Sequence, residues 1–190
     1  MLSEAAILEK IENNFGDSLY PGDDNIVYDN SGRCLECLDI EQAFQGKHWK
    51  DVPSETIIYQ NSALTFFSVE AFRFYLPAYL CVAIEHYYPS DVIPDYIVSN
   101  LTLPIEVDAF KAAYDLRNYK ELEVELAEIL QNRLESCHRS VHNFIERMSG
   151  FSREQGKTIK EYLEYMQAHH GEDYPSNKIQ VAIERYWFIF

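Results

Sequence analysis

Apolar residues along this chain recur mostly at intervals of three and four, the spacing of one face of an α-helix. Ala6, Ile7, Ile11 and Phe15 make such a face over residues 3–15, with Ser3 placed to cap it and Glu4 in its first turn. Shorter helices are expected over 36–44, stopped by Gly46, and over 54–60 after Pro53. From Ser68 the pattern changes. EAFRFYLPAYL, residues 70–80, is apolar on nearly every side around one arginine. Such a helix belongs at the centre of a helical domain. It is expected to run over about 68–87, N-capped by Ser68, kinked at Pro77 and ended before Pro89.

A further helix is expected over 90–101, capped by Ser90 with Pro94 in its first turn. A long helical pattern follows from about 119 to 148. Leu122, Leu126, Ile129, Leu134, Cys137, Val141, Phe144, Ile145 and Met148 form a stripe broken by Arg133. Ser152 and Gln155 have the spacing of a capping box and open a helix to about His170, with Gly171 beyond. A last helix is expected over roughly 175–188, within a terminus that ends RYWFIF. Strand-like patterns are weak and confined to 25–28 and 65–67. The fold class is therefore mostly α. Residues 1–190 form a single-domain helical bundle, with 1–60 acidic and loop-rich and 61–190 the helical core.

The longest irregular stretch, 16–36, contains the turn Pro21-Gly22 and the acids Asp17, Asp23 and Asp24. Charge sharpens this picture. The 190 residues carry a formal net charge of −15. Residues 1–60 hold 12 acids against 4 bases. This surface repels nucleic-acid phosphate and anionic lipid headgroups, so the expectation is no nucleic acid and no membrane. The uncharged run 74–84 is also too short for a span, which needs about 20 apolar residues. MLSEAAILEKIENNF has no long apolar run, so a cytoplasmic location is expected, with Cys34, Cys37, Cys81 and Cys137 as free thiols.

Candidate chemistry is sparse. Cys34 and Cys37 form a CxxC, but zinc needs a second ligand pair. Cys137, His138 and His142 would have to supply it across about a hundred residues, so the pair reads as ordinary thiols and no cofactor is expected. Asp17, Asp23 and Asp24 lack the spacing of an EF-hand and read as a self-capping turn. His86, His169 and His170 stand where cations cap helix C-termini. Gly46-Lys-His-Trp49 is a basic, aromatic spot in the acidic third. Lys47 is expected to pair with Asp23 or Asp24, and Trp49 to anchor the loop in the core. Arg73 is spaced to pair with Glu70, and is a second candidate partner for the acidic loop. Phosphate-binding glycine loops, nucleophile elbows and zinc-protease motifs are absent, which lowers the odds of an enzyme.

Several stretches occur together in order: Tyr20-Pro-Gly-Asp-Asp-Asn-Ile26, Gly46-Lys-His-Trp49, the block around EAFRFYLPAYL, Phe151-Ser-Arg-Glu-Gln155 and Ala182-Ile-Glu-Arg-Tyr-Trp187. With them the chain resembles an uncharacterised bacterial family, a domain of unknown function. The resemblance implies a shared fold and a bacterial origin, and assigns no catalytic residue. Small acidic bacterial proteins of this kind are often immunity proteins. The expected function is a non-enzymatic interaction protein of that type, binding a basic partner, with Asp23, Asp24, Lys47, Trp49 and Arg73 anchoring or contacting. The alternatives are an enzyme with a site near Arg73 and the Asp23/Asp24 loop, or a metal-binding module.

Overall fold

The structure, a computed structural model, describes residues 2–116 and 126–190. Its centre is a helix, here α5 (Val69–Glu85), with twelve of its 17 residues buried. Ser68 Oγ caps α5 by accepting from Ala71 N at 3.0 Å. The helix continues through Pro77, itself buried. Aromatic rings fill the space beside it: Phe44, Phe67, Tyr75 and Tyr79 stack or meet edge to face, with Phe44 and Tyr75 4.8 Å apart.

Around α5 lie α1 (Glu4–Phe15), α2 (Leu35–Phe44), α3 (Ser54–Tyr59), α4 (Ala63–Phe66) and α6 (Ile93–Asn100). The C-terminal half adds α7 (Glu106–Leu116), α8 (Leu126–Met148), α9 (Arg153–His170) and α10 (Lys178–Arg185). Ile7, Ile11 and Phe15, the face read from the sequence, are fully buried where α1 packs on α5 and α9. The Ser152–Gln155 capping box forms as expected. Of the weak strand patterns only one isolated antiparallel bridge forms, Val27 to Phe67; residues 65 and 66 are helical instead, in α4. Among the described residues no helix is long and apolar enough to cross a membrane.

Three expectations shift. Ser90 does not cap α6: its buried hydroxyl donates to Tyr87 O at 2.9 Å, and the helix begins at Ile93, after Asp91 has turned to a left-handed backbone. The last helix is shorter than expected, because Ser176 and Asn177 also take left-handed conformations and confine α10 to eight residues. The third is α7, where no element was expected. Pro104 precedes it, Glu106 and Asp108 occupy its first turn, and Asp108 accepts from Ile105 N at 3.1 Å. Asp108 also takes a bidentate contact from Arg185, at 2.6 and 3.0 Å, which ties α7 to α10. The start of the pattern expected from 119 lies outside the described residues as far as 125.

Candidate functional site

The acidic loop is held by a backbone amide and two neutral side chains, not by a lysine. Gly22 and Gly46 both have positive φ, so the chain turns sharply on either side of the contact. The Gly46 N–H donates to Asp23 Oδ1 at 3.0 Å and to the Tyr20 hydroxyl at 2.8 Å. Tyr20 in turn donates to Asp23, and Gln45 Nε2 reaches Asp23 Oδ2 at 3.4 Å. These donors favour the anion and hold the Asp23 carboxyl below the usual carboxylate range, the Tyr20 hydroxyl foremost. Burial, with the Asp23 hydrogen bond, pushes the Tyr20 phenol up. Asp24 beside it is exposed.

Lys47 therefore does not pair with Asp23 or Asp24 as expected. Its ammonium caps α2 by donating to Ala43 O at 2.6 Å, where the free carbonyls of a helix C-terminus attract a cation. Trp49 does anchor the segment: the side chain is buried and Nε1 donates to Phe15 O at 3.1 Å. Tyr75 closes the arrangement from α5, donating toward Phe44 O at 2.9 Å and Lys47 O at 3.0 Å. Desolvation pushes its phenol far up, so it remains a neutral donor.

Arg73 also departs from expectation. It lies 3.7 Å from Glu70, the pair read from the sequence, but its other contact is Glu146 O at 3.1 Å rather than an acid of the loop. A Cβ on Gly150 would overlap the guanidinium, so the glycine after α8 is what lets Arg73 in. The link to the loop runs through Glu70, which accepts from Asn25 Nδ2 at 3.3 Å.

Arg147 carried no expectation. It runs from the last turn of α8 to Asn100 Oδ1 at 3.2 Å, Phe67 O at 3.1 Å and Thr65 O at 3.3 Å, with its guanidinium 4.8 Å over the Phe72 ring. Burial lowers its pKa. No local spacing betrays this contact, since its partners lie 47 to 82 residues away.

The outer face of this region mixes acids with exposed apolar groups. Tyr28 stacks on Phe66 of α4, and Glu36 of α2 accepts from Ser62 Oγ at 3.2 Å just before α4. Leu35, Leu38 and Asp39 are exposed on α2, and Tyr59, three residues before Ser62, is 80% exposed. Ten of the 12 acids in residues 1–60 are exposed, and Glu12, paired with Lys50 at 3.3 Å, is the one given an ion-pair partner among the described residues.

Cys34 and Cys37, expected as free thiols, are joined as a disulfide. Cys34 is the N-cap of α2 and Cys37 lies in its first turn, which places their Cα atoms 5.2 Å apart, inside the reach of such a bond. Of the histidines, His169 meets Tyr165 O at 2.8 Å near the end of α9, and His170 stacks on Tyr87 with ring centres 3.5 Å apart. Among the described residues no three His, Cys, Asp or Glu side chains converge as a metal site would require.

A family of unknown function, DUF6714, matches residues 26–112, which span the Gly46–Trp49 segment and all of α5. No curated protein and no solved structure matches the chain.

Proposed function

We propose that this protein is a non-enzymatic interaction protein whose acidic first third binds a basic protein partner, most concretely an immunity-type protein that sequesters a cationic toxin in the cytoplasm. The observation that carries this reading is the surface around α4. Tyr28, stacked on Phe66, and Leu35, Leu38 and Tyr59 are exposed on α2, α3 and the segments beside α4, together with the exposed acids Glu36 and Asp39. Aromatic and aliphatic anchors inside a charged rim are the composition of a protein interface. The charge selects a cationic partner and speeds encounter with it. The loop is also rigid at its root. Asp23 holds Gly46, and Trp49 fixes the segment after it to the core, so the surface is formed before a partner arrives.

The test is calorimetric binding to purified basic proteins taken as candidate partners, any product of a neighbouring gene first, at low and physiological salt. A complex is expected whose affinity falls with salt, and falls about tenfold or more when Asp24, Glu36 and Asp39 are reversed to lysine. Asp23 is left intact because it holds the loop. The absence of a complex, or an affinity indifferent to charge reversal, overturns the reading.

A further inference from the structure

The disulfide at the start of α2 is built asymmetrically. Cys34 is half-buried at the N-cap, and Cys37, one turn inside, is 1% exposed. The sulfur that a second molecule can reach is therefore that of Cys34. Its Sγ already accepts from the Cys37 N–H at 3.2 Å. When the bond is open, a Cys34 thiolate faces the free N–H groups of the first turn of a ten-residue helix, an environment that favours the anion. The one acid in that turn, Glu36, is turned toward Ser62. Leu35, 77% exposed, and Leu38 flank the accessible sulfur and offer apolar surface beside it.

The remaining thiols have none of these features. Burial, with Glu85 and Glu12 nearby, pushes the Cys81 thiol up to about 12. Burial and the carboxylates of Asp108 and Glu106 push the Cys137 thiol up as well. In a reducing compartment, where this chain is expected, a disulfide that forms is a working one, catalytic or redox-sensing, rather than a structural brace.

We propose that Cys34 and Cys37 are a reversible dithiol–disulfide site that exchanges electrons with a disulfide or dithiol of another protein, with Cys34 as the attacking sulfur and Cys37 as the resolving one. In the reduced state the Cys34 thiolate attacks a disulfide R–S–S–R′. The Cys34–S–R bond forms, the S–S bond breaks, and R′–S⁻ leaves and takes up a proton. Cys37 then loses its proton and attacks Cys34 Sγ, closing the intramolecular bond and releasing R–S⁻. Two electrons pass from the pair to the partner, and the reverse sequence oxidises a partner dithiol. This site does not depend on the cationic partner proposed above, and its test uses a small disulfide.

The full-length protein is equilibrated with mixtures of reduced and oxidised glutathione, quenched with acid, alkylated and weighed. Two thiols at positions 34 and 37 are expected to open and close together as the mixture changes. Cys37→Ser is expected to hold a glutathione adduct on Cys34, and Cys34→Ser to hold none on Cys37. In the reduced wild-type protein at pH 7, iodoacetamide is expected to label Cys34 about tenfold or more faster than Cys137. Circular dichroism confirms that each variant folds; should one fail, the wild-type labelling ratio decides alone. A pair that stays closed in excess reduced glutathione, an adduct carried equally by Cys37, or a Cys34 labelled no faster than Cys137 overturns the proposal.

Discussion

The helices α5 and α8 carry different hydrophobic patterns and are buried to different extents. In α5 the pattern is blurred, with apolar side chains on most sides, and twelve of 17 residues are buried. In α8 the stripe is regular over 23 residues, yet among its described side chains only Cys137, Phe144 and Met148 are buried, and Ile145 is 51% exposed. A clean stripe marks a helix with one wet side; a blurred one marks a helix enclosed by others. The two are joined by polar means. Arg73 reaches from α5 to the Glu146 carbonyl, and Arg147 reaches from α8 to the carbonyls of Thr65 and Phe67. Burial positions α5, and guanidinium–carbonyl contacts help position the end of α8.

The largest effect that separates the two is truncation. Leu76→Ala in α5 is expected to cost about 3 kcal/mol or more in denaturant unfolding, while Ile145→Ala in α8 stays within about 0.5 kcal/mol. Equal costs would remove the distinction. The joint itself comes next: Arg147→Met keeps the packing over Phe72 but leaves two carbonyls without their donor, and is expected to cost about 2 kcal/mol. A smaller contrast lies within the core. The Tyr79 hydroxyl donates to Gln60 O at 2.7 Å, whereas the Tyr162 hydroxyl on α9 has no protein partner among the described residues. Tyr79→Phe is therefore expected to cost about 1 kcal/mol and Tyr162→Phe nothing, or to stabilise slightly.

The smallest effect is a pH slope at the end of α9. Burial lowers the pKa of His170 against the pull of Asp173, so the folded chain binds fewer protons there than the unfolded one. The stability this gives is complete above the unfolded value of about 6.5 and is lost as pH falls through the folded value. Between pH 7 and pH 5 the melting temperature of the wild type is expected to drop about 1–2 °C further than that of His170→Gln. Identical slopes would show that the Tyr87 stack does not select the neutral ring.

Local signals were legible and distant ones were not. Ser68 and Ser152 act within three residues of themselves, and both caps form as read. The central helix was visible because a run apolar on all sides has no other stable place. The sequence suggests Asp23 or Asp24 as the partner of Lys47, but a free carbonyl at the end of the preceding helix, α2, sits only four residues back. Asp23 takes a backbone N–H as a partner, a group that every residue but proline carries and no sequence advertises. Arg73 and Arg147 find carbonyls 73 to 82 residues away, a relation set by packing. The helix α7 carries no clear sequence signal because its buried face is Ala109 and Ala113, small side chains that mark a face weakly, while Val107, Phe110 and Tyr114 lie on exposed sides. The CxxC reads as ordinary thiols in the sequence; its pairing as a disulfide is set by where α2 starts.

The helix α1 is made well before the helix that completes it. Its Lys10 pairs with Glu161 at 2.6 Å and its Asn14 donates to Thr158 at 2.7 Å, both on α9 and 151 and 144 residues downstream. At ordinary translation speeds that interval is roughly 7–30 s. Through that time the nascent chain carries Ile7, Ile11 and Phe15 without the surface that covers one side of them. The fold therefore closes at this seam only once α9 has been made, and until then α5 is the one of the two surfaces packed on α1 that the chain has already supplied.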